Sequence, residues 1–523
     1  MFRKKFLSAV LAFAMTAGLS ACGTSSASAT AASSAGSTTN ATMNIELTTA
    51  PVGLHPLKTN DAASTFVTGQ IFETLYRRTV DGTSYEPLLA ESLPEMSSDG
   101  LTATIHLRKG VKFQDGTDFT ADAVAYMIDS LKDKNYGSQR PSIVESIDSY
   151  KVVDANTIEL HLMYADGVLV AKLAHTNSAI VNPALDKTQD FMVDAKGAGT
   201  GPYSFVSATS GSKYVLAANT SYWNGTPAVK NLNYDVVADE ATAVARIKTG
   251  EADLYPTVAS DSFSTVAAVS GYKAVSDSSS AIYFMTYRSN EGTSANPLMA
   301  NKDFRKVLVE SVDFEKYTQS VVGDNGTFNK SIVGPTLVGY TSAMDDAYVA
   351  PNMADAKALV EKNGWTGQTV TMLTSTREWH KTVGAYVQDQ LAQVGITVNV
   401  VSEEWATYLA DAKKDNYDFC ILSWSNVTGD GQQMLEPNFS TKNGTRVKYN
   451  NAAFDAAVDA SAKTTDATKR QASMLEAVKM IQGDCVVAPM YSPNTSYVYN
   501  ANKFTNVVFD KGGQFTVSDF GVK

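Results

Sequence analysis

Apolar positions along this chain recur with two periods, and a change of period marks a change of element. After Asp99-Gly100, Leu101, Ala103, Ile105 and Leu107 alternate with polar residues, which predicts one strand of a hairpin. A second turn signal, Asp115-Gly116, leads to Thr120, a candidate helix N-cap. Val124, Met127, Ile128 and Leu131 then form the i, i+3, i+4, i+7 stripe of a packed helix. Further helices are expected from Glu240 to Thr249, stopped by Gly250, and around Phe304, Val307, Leu308 and Val312. The richest stretch runs from Asn352 to Trp424. A helix with Ala356, Leu359 and Val360 ends at Gly364, and Val370 to Leu373 is a strand. Val383, Val387, Leu391 and Val394 stripe a second helix, and Ile396, Val398 and Val400 alternate as a strand. Tyr408, Leu409 and Ala412 mark a third helix before the apolar strand Tyr417 to Leu422. This β-α-β-α-β order predicts a parallel sheet with helical crossovers. Ligands of such sheets sit beyond the carboxyl ends of the strands, here Ser423 to Asn426.

The amino-terminal residues follow neither period. Arg3, Lys4 and Lys5 precede an apolar stretch, Phe6 to Leu19, that is short for a membrane span. It closes with Leu19-Ser20-Ala21-Cys22-Gly23, which resembles the lipobox of bacterial lipoproteins. The resemblance implies that residues 1–21 are a signal peptide and that Cys22 carries a lipid; an ordinary secretory signal with a chance cysteine is the alternative. Residues 22–42 are almost entirely Ser, Thr, Ala and Gly and bury too little apolar surface to order, so a flexible tether is expected. No later stretch is long and apolar enough to span a bilayer. The expectation is an extracytoplasmic protein, lipid-anchored to the cell membrane.

Residues 43–523 exceed what one hydrophobic core usually supports, so two or more lobes are expected. The net charge of −11 is spread along the chain without a basic stripe, which argues against nucleic acid as a partner. Cys420 and Cys485, in apolar runs, are either two buried free thiols or a bridge. There is no H-E-x-x-H and no G-x-S-x-G context, and the five histidines are scattered, so neither an enzyme nor a metal or cofactor site is expected. Gly197-Ala198-Gly199-Thr200-Gly201 leads through Pro202-Tyr203 into a strand and not a helix, which fits chain re-entry into a lobe better than a phosphate loop.

Three runs carry a family resemblance: Leu89 to Ser92 through Asp99-Gly100, then Leu107-Arg108-Lys109-Gly110-Val111-Lys112-Phe113-Gln114-Asp115-Gly116, then Phe119 to Val124. Gly199 to Tyr203, Asn219 to Trp223, Gly250 to Asp253, Asn301 to Asp313 and Ala488 to Tyr491 follow in order. Together they resemble the family 5 extracellular solute-binding proteins, which include oligopeptide-, dipeptide- and nickel-binding lipoproteins of ABC importers. The resemblance implies an α/β, two-lobed, type II periplasmic-binding-protein-like fold with three subdomains and two hinge crossings. By that analogy, residues 43–81, 197–285 and 488–523 form the core of lobe I, 82–196 its extra subdomain, and 286–487 lobe II. The crossings are placed near Tyr283 to Asn290 and near Val487 to Ser492. The implied function is capture of a short peptide by a monomer that closes over it and delivers it to the transmembrane subunits of a permease. A nickel chelate, a glutathione-like compound or an oligosaccharide is the alternative ligand, and a receptor lipoprotein on this fold the alternative role.

In peptide-binding members a tryptophan at a strand end is followed three residues on by an aspartate that pairs with the peptide amino terminus. Here the tryptophan is Trp424 and the third residue is Val427, which cannot pair an ammonium group taken out of water. Asp430 is the candidate substitute, and Asn426 lies between them. The resemblance further implies that Asn60, Asp61 and Ala62 offer backbone hydrogen bonds to an extended peptide and that Trp424 stacks on it. Trp405 would line a side-chain pocket, Arg377 and His380 would meet a carboxylate, and Tyr491 would close over the ligand.

Overall fold

The computed structural model describes residues 41–523 apart from Glu291, Val427 and Thr445. The signal stretch and the lipidation candidate Cys22 lie outside the described residues. Two sheets share one strand. In the first, Thr42–Leu47 runs parallel to Asn231–Val236 and Leu254–Tyr255, and Lys213–Ala218 and Tyr203–Thr209 extend it antiparallel. In the second, Thr369–Ser375 lies parallel between Thr397–Glu403 and Phe419–Ser425, which pairs antiparallel with Ala281–Tyr287.

The shared strand is Val487–Asn500. Its first part pairs with Ala281–Tyr287 and Gly326–Phe328, and from Asn494 onward it pairs with Tyr272–Ser278 and Leu254–Tyr255. The chain therefore crosses between sheets at Ser278–Ala281 and again at Pro493–Asn494. Both crossings shift from their expected places near Tyr283 to Asn290 and Val487 to Ser492. Ile282, Phe284, Met285 and Tyr287 are buried strand residues of the second sheet and not a linker, so the break falls in the polar run Ser278-Ser279-Ser280. Apolar packing separates the lobes in the same way. Two buried clusters draw only on residues between Met43 and Val275 and beyond Tyr497, and two others only on residues between Ile282 and Tyr491.

The β-α-β-α-β reading corresponds to Thr369–Ser375, Glu378–Ala392, Thr397–Glu403, Trp405–Asp411 and Phe419–Ser425. The helices Glu240–Thr249 and Met353–Asn363 end on Gly250 and Gly364, whose φ of 77° and 68° is the left-handed cap that glycine adopts without a Cβ penalty. The hairpin strand is Thr102–His106 in a four-stranded antiparallel sheet. Ala103, Ile105 and Leu107 are buried, but Leu101 beside the turn is exposed. Helix Ala121–Lys132 buries Val124, Met127, Ile128 and Leu131 as expected, with Thr120 at its N-cap but making no side-chain capping bond. This four-stranded sheet and helix share one continuous core with the first sheet.

Cys420 and Cys485 are separate buried free thiols, and burial pushes the Cys485 thiol up to about 11, away from reactivity. The glycine-rich run packs backbone on backbone: Gly201 N donates to Ile71 O at 2.9 Å, and a Cβ on Gly199 would lie 1.9 Å from that oxygen.

Candidate ligand-binding cleft

A cavity of about 640 Å³ lies where the crossings meet the two sheets. One wall is helix Ala62–Ile71 with its flanks: Asp61, Thr65, Thr68, Gly69 and Phe72 line the cavity at the three- and four-residue spacing of a single helical face. The other wall is Ser279 to Ala281 from the crossing with Ser425, Asn426 and Thr428, just past the end of Phe419–Ser425. That is the carboxyl end of a strand of the sheet with parallel pairs, where the alternation of elements placed the ligand.

The segment leading into the helix is pinned by buried polar groups. Leu57 N donates to His55 Nδ1 at 3.3 Å, so Nε2 carries the proton and donates to Asp186 Oδ1 at 2.9 Å. Tyr136 and Tyr126 hydroxyls donate to Asp186 Oδ2 at 2.5 and 2.7 Å, and Asn177 Nδ2 donates to Pro56 O and Thr59 O. Burial pushes the Asp186 carboxyl up, but the hydrogen bonds from His55, Tyr136 and Tyr126 outweigh it and hold it down at about 2. Burial, aided by the Arg140 charge, holds His175 on the cavity wall down at about 3, so it is neutral. Both groups are depressed below their unfolded values, so the stability they contribute is full above those values and lost as pH falls. Urea midpoints are therefore expected to drop below about pH 6.5 as unfolded His175 protonates, and again below about pH 4, where the roughly 2 kcal/mol that Asp186 contributes at higher pH is lost. Asp186→Asn should flatten the second limb; an unchanged limb would refute the assignment.

Charge in the cleft is largely paired. Arg77 bridges Glu86 at 2.6 Å and Asp519 at 3.3 Å. Glu73 accepts from Thr200 Oγ1 and the Tyr222 hydroxyl, each at 2.7 Å, and from Trp223 Nε1 at 3.1 Å, and burial raises its pKa. Arg108 donates from Nε to Leu88 O at 2.5 Å and lies 4.9 Å over the Trp223 ring. Two contacts tie the lobes beside the cavity: Arg78 Nη2 donates to Thr336 O, and the Tyr85 hydroxyl to Thr428 O at 2.8 Å.

Of the residues expected from sequence, Asn60, Asp61, Ala62 and Asn426 come together on the cavity wall. Val427 lies outside the described residues. Asp430 does not replace the missing acid: it is fully buried, and Arg470 on helix Ala467–Gly483 holds both its oxygens, at 2.7 and 2.5 Å. Nor does His380 face a carboxylate. It is 1% exposed, accepts from Ser375 N at Nδ1, and is packed edge-on against Trp379, Trp405 and Tyr408. Burial, with nearby Arg377, holds it down at about 4 and therefore neutral. Arg377 is exposed but stacks on Trp405 at 3.5 Å. Trp424 and Trp405 are half-buried against the second lobe's core, and Tyr491 is buried edge-on to Tyr283; none of the three lines the cavity. Sequence reasoning passed over Glu73, Tyr222, Trp223 and Arg108 as cavity residues. Arg108, Tyr222 and Trp223 lie in the runs that carry the family resemblance, and no local pattern marks them as cavity residues.

Two lobes of mixed sheet, joined by two strand crossings over a walled cavity, define a clamshell binding protein. The chain belongs to the bacterial extracellular solute-binding proteins, family 5, whose model matches residues 84–446. It is 24% identical over 467 residues to the oligopeptide-binding protein AppA of Bacillus subtilis, covering 85% of this chain and 84% of that protein. It is 25% identical over 493 residues to heme-binding protein A of Haemophilus influenzae, covering 87% and 88%. Among solved structures, HbpA2 from Haemophilus parasuis superposes with a TM-score of 0.83 at 21% identity, over 92% of this chain and all of that one.

Proposed function

We propose that this protein is the substrate-capture lipoprotein of an ABC importer, tethered through Cys22 and closing its lobes around a short peptide for transfer to the permease. The observation that carries this reading is the cavity itself, where Asn60, Asp61 and Ala62 of one lobe face Ser425 and Asn426 of the other. Its volume of about 640 Å³ suits a small ligand more than a folded partner. A ligand drives closure only by binding the closed form better, and moving the population almost fully takes about 5.5 kcal/mol of differential affinity. Contacts from both walls supply that difference, because only the closed form presents both. The similarity to AppA, named for oligopeptides, supports the peptide reading.

A second reading, capture of a non-peptide solute such as a heme-like compound, a metal chelate, a glutathione-like compound or an oligosaccharide, is favoured by the valine at position 427 and by the relative named for heme. A thermal-shift panel of di- to hexapeptides, sugars and chelates separates the two. A peptide held at 100 times its Kd is expected to add about 2.7 kcal/mol of stability. A panel in which only non-peptide solutes shift the protein would replace the first reading with the second.

A further inference from the structure

We propose that Arg108 receives a carboxylate of the ligand, its guanidinium held ready on the cavity wall by stacking on Trp223. This rests on the peptide-capture reading and adds an anion subsite to it.

Among the described residues four cationic side chains line the cavity: Arg77, Arg78, Arg108 and Lys511. Three of them are engaged. Arg77 pairs with Glu86 and Asp519, and Lys511 Nζ with Asp277 Oδ2 at 2.6 Å. Arg78 ties the lobes. Its Nε and Nη2 donate to Gly82 O and Nη2 also to Thr336 O, and a Cβ added at Gly429 would strike the guanidinium.

Arg108 differs from these. It commits only Nε, to Leu88 O at 2.5 Å, and among the described residues no carboxylate lies within ion-pair distance of it. Both its Nη groups make no bond within the described residues and remain accessible, on a half-buried side chain that lines the cavity. Arg77 also keeps an unbonded Nη2, but two carboxylates already meet its charge. A cation left without a counter-charge in a closing cleft is costly until an anion joins it.

The guanidinium is fixed before any ligand arrives. Its Cζ lies 4.9 Å over the Trp223 ring, and the indole Nε1 donates to Glu73 Oε2 at 3.1 Å. Glu73 is pinned in turn by Thr200 and the Tyr222 hydroxyl. Arg108 N donates to Leu89 O at 2.9 Å, so backbone and side chain are both tied. A planar cation stacked on an aromatic face presents a fork that takes a carboxylate through two parallel N–H bonds. Support from outside the contact keeps the entropy lost on capture small. The carboxylate was expected at Arg377 and His380, but neither lines the cavity and His380 is neutral. A peptide carries such a group at its carboxyl terminus and on acidic side chains.

The test is calorimetry on full-length protein with three pools of synthetic tetrapeptides. One has neutral side chains and a free carboxyl terminus, the second is the same pool amidated, and the third is amidated but carries a glutamate. Wild type should bind the neutral amidated pool at least about tenfold more weakly than one of the others, and which one identifies terminus or side chain. Arg108→Gln should erase that preference. Wild-type affinity for the preferred pool should also fall between about 50 and 500 mM salt while the neutral amidated pool holds, a readout independent of how the variant folds. A merely structural Arg108 would leave wild type indifferent to all three pools. Equal binding of the three by wild type, or a preference that survives in Arg108→Gln, overturns the assignment to Arg108 while leaving peptide capture standing. Binding of no pool overturns both.

Discussion

Replacing Arg470 with methionine is expected to lower the unfolding free energy by about 3–5 kcal/mol, the loss typical of stripping one partner from a buried ion pair. Asp430 is 0% exposed and Arg470 7%. The guanidinium makes two bonds to the carboxylate and a third, from Nε, to Ser461 O at 3.1 Å. Without it a charged carboxylate stays in a dry site. The damage should reach the cleft, because the turn that presents Asn426 hangs on Asp430. Asn426 Nδ2 donates to Asp430 O at 2.6 Å, Gly429 N to Asn426 Oδ1 at 3.0 Å, and Gln432 N to Asp430 Oδ1 at 2.9 Å. Urea denaturation followed by tryptophan fluorescence measures the loss. The double variant Arg470→Met with Asp430→Asn should recover much of it, since the orphaned charge is gone. A loss under about 1 kcal/mol in the single variant would mean that water enters the site and the pair is not buried in solution.

The same pair shows what a sequence discloses. Asp430 sits six residues past Trp424, and proximity to a ligand-associated strand end made it a natural substitute for the missing acid. Its partner is forty residues on, and no local spacing links them. A trace of the contact was nevertheless present: Arg470, Met474, Ala477, Val478 and Ile481 fall on one face, so the arginine extends a buried stripe. A charge on an apolar stripe needs a partner, and that reasoning could have flagged Arg470. Local rules worked where local physics decides, at Gly250, Gly364 and the stripe of Glu378–Ala392. They failed at Tyr283, where strand pairing with Ser423 and Tyr491 puts the residue inside a sheet. They also failed at His380, whose helix position says nothing of the two aromatic rings, Trp405 and Tyr408, that close over it from the helix Trp405–Asp411. Elements were legible; the meetings between distant elements were not.

One such meeting yields the second large effect. Gly167→Val is expected to weaken ligand binding by roughly 5- to 150-fold, the equivalent of the 1–3 kcal/mol that overpacking costs. Gly167, between strand Thr157–Leu162 and helix Leu169–Leu173 of the first lobe, donates from N to Ala462 O at 2.6 Å in the second lobe. A Cβ there would lie 2.2 Å from Thr464 O and 3.1 Å from both Ala462 O and Ser461 O. All three oxygens belong to the end of helix Ala452–Ala462 and the turn that follows it, so the clash arises only between lobes. Within its own lobe the loop is held by Asp166, which accepts from Ser146 Oγ at 2.6 Å and Lys172 Nζ at 2.8 Å, and those bonds survive the substitution. Calorimetry should therefore show weaker binding, and solution scattering with saturating ligand a larger radius of gyration than wild type. Wild-type affinity in the variant would mean that this contact is not part of the closed state. Because Ser461 O also accepts from Arg470, the glycine contact and the ion pair bear on one turn, and the two substitutions should be less than additive in binding.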